Sequence, residues 1–139
     1  MQQQIDAVLL EMDGTILNSI KSAERVWTAW ALRNGINVDT FLPTIHGIQA
    51  VETIRRLALP GMDPVTEAAA LTLAEIDDVA GIEPIPGAAN FLAALSPYRW
   101  AVVTSAPSEL ARRRILAAGL PLPPLMITTE GVPKCKPAP

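Results

Sequence analysis

The chain has 139 residues, enough for one domain, and half of these residues are hydrophobic. A formal net charge of −3 and a positive mean hydropathy indicate a folded globular protein rather than a disordered chain. The sequence lacks the basic excess that is typical of nucleic-acid-binding proteins. No apolar run approaches the roughly 18 residues of a membrane span. We therefore expect neither nucleic acid nor a membrane among its partners.

The rare reactive residues narrow the possible site chemistry further. Cys135 is the single cysteine, which excludes an intramolecular disulfide and a cysteine metal cluster. His46 is the single histidine, which excludes a metal site of several histidines within one chain. The first residues, M-Q-Q-Q-I-D, lack the basic and apolar regions of a signal peptide. These features favour a cytoplasmic protein.

Short apolar runs and amphipathic stretches predict the elements in chain order. The first run, 7–10 (A-V-L-L), is typical of a strand that a parallel sheet buries on both faces. The pattern then predicts a helix from Asn18 or Ser19 to about 34, followed by a turn near Asp39. The remaining helices are predicted at 49–58, 63–78, 87–95 and 107–118, and the remaining strands at 100–104 and 125–128.

The order of these elements predicts the fold class. Strands that alternate with helices indicate an α/β protein with a parallel, Rossmann-like sheet and right-handed crossovers. Three or more helices follow one another between the first two strands, and the proline-bearing stretch 79–86 is typical of a linker that returns from an insert. We therefore predict an α/β core over 1–16 and 85–139, with a small helical cap domain inserted over 17–84. An insert at this position can act as a lid over a site at the end of the first strand.

Several prominent side chains have a structural interpretation beside a functional one. Trp27 and Trp30 share the apolar face of the first helix, which favours packing in the cap core over a platform on which a ligand stacks. His46 either contacts a substrate or is a loop histidine with an ordinary hydrogen bond. Arg112–Arg114 are interpreted as a solvated helix face, where one arginine can pair with Glu109 at helical spacing.

Two acids directly follow the first predicted strand. Glu11 and Asp13 are two positions apart and precede Gly14, in V-L-L-E-M-D-G-T. Ligands of open α/β sheets bind beyond the carboxyl ends of the strands, and side chains two apart along a strand point the same way. Two converging carboxylates indicate a divalent cation, a proton relay or a covalent intermediate. The structural alternative is a polar D-G turn that ends the strand.

Further polar residues are expected at the same edge of the sheet. Thr104 and Ser105 follow the second strand of the core, and the next helix offers backbone N–H groups at its N-terminus. Lys136 follows the third strand, in K-P-A-P. Hydroxyls, helix-terminal amides and an ammonium together form an anion site, for which phosphate is the usual ligand. The carboxylates of Glu11 and Asp13 would repel a phosphate unless a cation lay between the carboxylates and the phosphate, which favours Mg²⁺.

In order and spacing, these motifs resemble the haloacid dehalogenase superfamily of phosphohydrolases, in its helical-cap branch. The first family motif, D-x-D-G-T, is matched by E-M-D-G-T. The second motif is a Thr or Ser that ends the second strand, and V-V-T-S-A matches it. The third motif is a lysine before P-x-P, and K-P-A-P matches it. The stretch I-P-G-A resembles the return from cap to core. The cap segments W-T-A-W and I-H-G-I-Q-A are similar to those of bacterial sugar phosphatases.

The resemblance implies a role for each matched residue in hydrolysis of a small phosphorylated metabolite. Glu11 takes the position of the nucleophile that forms a carboxyl-phosphate intermediate, and Asp13 takes that of the general acid and base. Thr104, Ser105 and Lys136 would bind the phosphate. The resemblance also implies Mg²⁺, held by Glu11 and by the backbone carbonyl of Asp13.

The resemblance further implies that residues of the cap loop face the sugar. These residues are His46, Gly47 and Gln49.

Two departures from the family pattern lead to an alternative hypothesis. The family nucleophile is Asp, and the extra methylene of Glu11 displaces the carboxylate, where a misplacement of about 1 Å can cost roughly 100-fold in rate. The acidic fourth motif of the family is not found in the 139 residues, which suggests a core that is incomplete at the C-terminus, and hence a truncated form. The alternative is a catalytically impaired chain that keeps the fold and phosphate binding. In such a chain the first strand becomes an exposed edge, which allows self-association.

Overall fold

The computed structural model describes residues 4–95 and 99–136 of the chain. The chain forms two compact units, of which one comprises Met1–Ser19 and Ile82–Pro139 and the other comprises Ile20–Gly81. The described residues of the first unit form an α/β structure, and those of the second are helical.

Most predicted elements are confirmed, with ends that move by a few residues. The strands, in chain order, are β1 (Val8–Leu10), β2 (Leu17–Asn18), β3 (Glu83–Pro84), β4 (Trp100–Val103) and β5 (Met126–Ile127). The α-helices are α1 (Ile20–Arg33), α2 (Val38–Phe41), α3 (Ala50–Leu57), α4 (Pro64–Asp77), α5 (Ala88–Ala94) and α6 (Ser108–Ala117). Single 3-10 turns lie at Leu42–Thr44 and Thr129–Gly131.

The sheet of the α/β unit is parallel, as predicted. Its described strands have the order β1-β4-β5, with Leu9 opposite Ala101 and Val103 opposite Ile127. Strand β4 lies between two neighbours, which is why its first three residues are all buried. Because the strands are parallel, residues that follow β1, β4 and β5 lie at one edge of the sheet.

The prediction that the first strand is buried on both faces is wrong. Leu9, the middle residue of β1, is 68% exposed. Strand side chains point to the two faces of a sheet, so the exposure of Leu9 means that the described residues leave one face of β1 uncovered. Strand β1 also lies at the outer end of the described three-stranded sheet. An exposed edge at this strand was the expectation from the incomplete family pattern.

The stretch predicted as a linker contains a short strand. Strand β3 pairs antiparallel with β2, with Leu17 opposite Pro84. Proline cannot donate to a strand ladder, so its presence in 79–86 masked this pairing in the sequence. The β2–β3 pair belongs to the α/β unit, and the helical unit is therefore three residues shorter at each end than the predicted segment 17–84.

The helical unit is organised around three aromatic rings. Trp27, Trp30 and Phe41 are buried, and their ring centroids lie 5.6 to 5.8 Å apart. Such distances are typical of tilted and edge-to-face aromatic contacts in protein cores. The indole Nε1 of Trp30 donates a hydrogen bond of 2.9 Å to Glu67. The interpretation of the two tryptophans as core residues is confirmed.

Side chains cap two helices of the helical unit. Asp63 caps α4 by accepting the backbone N–H of Thr66 at 3.0 Å. The turn predicted near Asp39 is the short helix α2, which Asn37 caps and in which Asp39 lies in the first turn.

Among the described helices, none combines the length and the apolar composition needed to cross a membrane.

Candidate active site

The loop after β1 is built around the backbone of Met12. This side chain is fully buried, and its carbonyl oxygen accepts the amide N–H groups of Thr15, Ile16 and Leu17 at 3.0 to 3.3 Å. Gly14 makes the turn possible with a φ of 78°, a conformation that favours glycine. The buried Met12 thus anchors a tight turn and leaves the acids on either side of it partly exposed.

Glu11 is bound by a cation that comes from the opposite end of the chain. The Nζ of Lys136 forms an ion pair with the Glu11 carboxylate and donates a hydrogen bond of 2.9 Å to the carbonyl of Val103, the last residue of β4. The other Glu11 oxygen accepts the amide of Met12 at 3.1 Å. Partial burial lowers the pKa of Lys136. The structure therefore brings Glu11 and Lys136 together at the ends of β1 and β4.

Asp13 is held from two sides. Its Oδ1 accepts a hydrogen bond of 2.6 Å from the hydroxyl of Ser19, and the NH1 nitrogen of Arg114 lies 3.2 Å from both carboxylate oxygens. The Arg114 side chain is only 7% exposed, whereas that of Asp13 is 35% exposed. The Asp13 carboxylate is therefore fixed by neighbours yet remains open to solvent on part of its surface.

Arg114 and Ser19 are site residues that the sequence interpretation missed. The solvated face predicted for the three arginines is wrong for Arg114, although the pairing of Arg112 with Glu109 is confirmed at 2.8 Å. A signal was present, because Arg114 lies four positions after Leu110, on the buried stripe of α6. A basic residue on such a stripe predicts an acidic partner.

The turn after β4 contains the predicted phosphate-binding hydroxyls. Thr104 is buried, its amide donates to Ile127 at 2.9 Å, and its Oγ1 accepts the amide N–H of Ala106 at 3.1 Å. This hydroxyl therefore shapes the turn between β4 and α6. Ser105 is partly exposed in the same turn. Both residues lie at the edge of the sheet that also carries Glu11.

The N-terminus of α6 does not offer all of its amides to an anion, which corrects the expectation from the sequence. The amide of Ser108 donates to both carboxylate oxygens of Glu130, at 3.0 and 3.1 Å. Burial would raise the pKa of Glu130, but hydrogen bonds from Thr128 and Ser108 outweigh it and lower this pKa to about 2. The carboxylate of Glu130 thus already accepts the first amide of helix α6. This amide is therefore not available to bind an exogenous anion.

The predicted substrate residues of the cap loop lie in the helical unit. The Nε2 of His46 is exposed and lies 3.5 Å from a carboxylate oxygen of Glu24. Gly47 is exposed with a φ of 73°, and Gln49 is the extended residue that precedes α3. The contact of these residues with a sugar stays a prediction.

The oxygen donors after β1 are of the kind that Mg²⁺ binds. Mg²⁺ usually takes one or two carboxylates and fills its remaining positions with water and substrate phosphate. The Glu11 carboxylate and the backbone carbonyl of Asp13 supply such donors, and the Glu11 carboxylate is also paired with Lys136. Within residues 4–95 and 99–136, no group of three or more His, Cys, Asp or Glu side chains forms a larger metal cluster.

A comparison with curated proteins identifies a relative by sequence. Hexitol phosphatase A of Escherichia coli strain K12 is 36% identical to this chain over 135 residues. The match covers 94% of this chain and 62% of the relative, so the chain spans less than two thirds of that protein. No family model matches the chain.

Solved structures share the fold. The crystal structure of CbbY from Rhodobacter sphaeroides, in complex with xylulose-(1,5)-bisphosphate, matches with a TM-score of 0.76 and 21% identity over 96% of this chain and 68% of that chain. A HAD-superfamily hydrolase of subfamily IA from Geobacter sulfurreducens matches with a TM-score of 0.61 and 18% identity over 96% of this chain and 67% of that chain.

The chain is thus similar in sequence to a hexitol phosphatase, and it shares its fold with a HAD-superfamily hydrolase and with CbbY.

Proposed function

We propose that the chain carries the phosphoryl-transfer site of a hydrolase that acts on small sugar phosphates. The observation that carries this proposal is the pairing of Glu11 with Lys136 beside Asp13, at the carboxyl edge of the parallel sheet. Two names support the substrate class: the relative is a hexitol phosphatase, and CbbY was crystallised with a sugar bisphosphate.

Glu11 and Asp13 divide the chemistry between them in this proposal. A Glu11 carboxylate oxygen attacks phosphorus, the bond from phosphorus to the sugar oxygen breaks, and Asp13 donates the proton that this oxygen takes up. Asp13 then removes a proton from water, which attacks the carboxyl-phosphate. Inorganic phosphate leaves, and the Glu11 carboxylate is restored.

Positive charge and hydroxyls stabilise the phosphoryl group. Lys136 already contacts Glu11, so its ammonium is suited to balance charge on a phosphoryl group transferred to that carboxylate. Ser105 and Thr104 lie at the same edge and are assigned to the phosphate oxygens. Mg²⁺, held by the Glu11 carboxylate and the backbone carbonyl of Asp13, would supply further charge neutralisation when bound.

The helical unit is assigned to substrate choice. Its candidate residues are His46, Gly47 and Gln49, of which the first two are exposed and available to a polar ligand. A sugar would meet them only if this unit acts as a cap, a role that stays a prediction.

A specific observation favours the second candidate function, a catalytically impaired phosphate-binding protein. Glu11 is one methylene longer than aspartate, and both of its carboxylate oxygens are engaged, one by Lys136 and one by the amide of Met12. In-line attack requires this carboxylate to lie within a narrow range of distances and angles from the phosphorus atom. A displacement near 1 Å lowers the rate roughly 100-fold.

Phosphate release from a hexitol phosphate in the presence of Mg²⁺ separates the two candidates. If the chain is a phosphatase, it turns over, and Glu11→Ala abolishes turnover. Glu109→Gln, a carboxylate change on the exposed face of α6, leaves turnover unchanged. If Glu11 is misplaced, Glu11→Asp raises the rate by about 100-fold. Turnover that survives in Glu11→Ala would contradict the assignment of the nucleophile.

Phosphate binding tests the impaired alternative directly. In this case isothermal titration with inorganic phosphate gives a binding signal without turnover, and Lys136→Met removes the signal. If neither turnover nor phosphate binding is measurable, both candidate functions are wrong.

We further propose self-association of the chain through the exposed edge of β1, on the basis of its end position in the described sheet and the exposure of Leu9. The cytoplasmic location expected from the sequence stays a prediction, which cell fractionation would test.

A further inference from the structure

Arg114 stands apart from the other arginines that form ion pairs in the described residues. The paired side chains of Arg25, Arg55, Arg56, Arg99 and Arg112 are all 45% to 62% exposed, whereas that of Arg114 is 7% exposed. Burial of a guanidinium is costly unless it is paired with opposite charge, and an apolar residue of similar volume often fits such a position equally well or better. The placement of Arg114 therefore calls for a reason beyond helix packing.

The partner of Arg114 supplies that reason. Asp13 lies 101 residues earlier in the chain, and one guanidinium nitrogen lies 3.2 Å from both of its carboxylate oxygens. Ser19 donates to one of these oxygens at 2.6 Å. The contacts come from two directions, so they oppose rotation of the carboxylate about its side-chain bonds.

The pair also joins a loop to a rigid element. Asp13 lies in the turn after β1, and Arg114 lies in the 10-residue helix α6 between the buried residues Ala111 and Ile115. Groups that must meet a reacting atom are held best by side chains that packing has locked in place. Because 35% of the Asp13 side chain stays exposed, the carboxylate is fixed without being closed off.

We propose that Arg114, assisted by Ser19, is a positioning residue that holds the carboxylate of Asp13 in the orientation needed for proton transfer to the leaving oxygen. This inference rests on the proposed function, in which Asp13 is the general acid and base. Arg114 itself touches Asp13 and not the substrate.

The leaving group provides a readout that a purely structural role would not change. An alkyl oxygen of a hexitol needs a proton as it leaves, whereas p-nitrophenolate departs without one. In Arg114→Met, kcat/KM for a hexitol phosphate falls by about 100-fold, because this ratio reports the step in which the alcohol leaves and the acid is misplaced. The loss of kcat/KM for p-nitrophenyl phosphate is much smaller, whereas hydrolysis of the carboxyl-phosphate is common to both substrates and does not enter the ratio.

Two further variants keep the test decisive. Arg114→Lys retains a cation that can reach Asp13, and it restores part of the lost kcat/KM for the hexitol phosphate. Arg112→Met removes an exposed arginine of the same helix, which pairs with Glu109, and it leaves both activities unchanged. If Arg114→Met does not fold, Ser19→Ala takes its place, with a smaller loss confined to the hexitol phosphate.

Crystal structures of the wild type, Arg114→Met and Arg112→Met give a readout that does not depend on activity. We expect a single Asp13 side-chain orientation in the wild type and in Arg112→Met, and a changed or divided orientation in Arg114→Met. Equal losses on both substrates, or an unchanged Asp13 in Arg114→Met, would overturn the proposal. A wild type with no turnover contradicts the proposed function, and the orientation of Asp13 then decides the positioning role separately.

Discussion

Trp30 in the helical unit and Asp13 in the α/β unit are each fixed by a partner far away in the sequence, but their surroundings differ. Trp30 is 1% exposed among other aromatic rings, and its bond to Glu67 is one polar contact in an apolar core. Asp13 is partly exposed, and its contacts to Arg114 and Ser19 are polar. The first arrangement derives its stability from apolar area, whereas the second fixes a partly exposed carboxylate through polar contacts.

Removal of the central aromatic ring gives the largest expected effect. Trp30→Ala leaves a cavity among Trp27 and Phe41, and such truncations cost about 3–5 kcal/mol in the free energy of unfolding. Urea denaturation followed by circular dichroism measures the change. Leu32→Ala, at an exposed position of the same helix, serves as the control with a change below about 0.5 kcal/mol. Similar costs for both variants would mean that the aromatic cluster is not the core of this unit.

Loss of the Asp13 charge gives the next largest effect. Asp13→Asn leaves the buried Arg114 without this carboxylate, which would cost about 3–5 kcal/mol for a fully buried pair. Because solvent screens the partly exposed Asp13, we expect about 2 kcal/mol in the free energy of unfolding.

The matched control replaces both partners. The double variant Asp13→Asn/Arg114→Met removes the buried charge together with its partner, and we expect it to recover much of the lost stability. Additive losses of the two single changes would contradict an energetic coupling between Asp13 and Arg114. The exposed pair of Glu109 with Arg112 provides a baseline, since Glu109→Gln is expected to cost less than about 1 kcal/mol.

The contrast between these two residues also explains what the sequence could predict. The burial of Trp27 and Trp30 follows from helical periodicity, and the alignment of Glu11, Thr104 and Lys136 follows from the parallel order of the strands that precede them. These inferences need only local patterns and one topological rule.

Ion pairs between residues far apart in the sequence could not be predicted from local patterns and strand order. Three arginines in a row look alike, and only the register of α6 against its buried face distinguishes Arg114 from Arg112. The cap that Glu130 forms at Ser108 depends on how the chain turns after β5, which no local pattern specifies. Pro84 likewise masked the β2–β3 pairing.

The Glu130 carboxylate at the start of α6 is another charged group held by polar contacts, and we expect its loss to lower stability less than the loss of the Asp13 charge. Its pKa is lowered from 4.5 to about 2, so its contribution to stability is fully present above pH 4.5 and is lost as the pH falls toward 2. Glu130 is largely exposed, so we expect Glu130→Gln to cost only about 1 kcal/mol at neutral pH. Urea midpoints measured across this range should converge for the wild type and the variant as the pH falls. A difference that persists at the acidic end would mean that the Glu130 charge does not stabilise α6.

Leu9→Lys is expected to have the smallest effect on stability, because the side chain already lies in solvent at the edge of the described sheet. A surface change of this kind stays within about 0.5 kcal/mol. Its effect on association should be clear, since lysine on an edge strand opposes pairing with a second strand. Light scattering after size-exclusion chromatography should show the wild type as a concentration-dependent dimer and Leu9→Lys as a monomer. Leu122→Lys, at an exposed position outside the strands, controls for added charge. A wild type that stays monomeric at all concentrations would contradict self-association through β1, and would show that an exposed apolar edge remains unpaired in this chain.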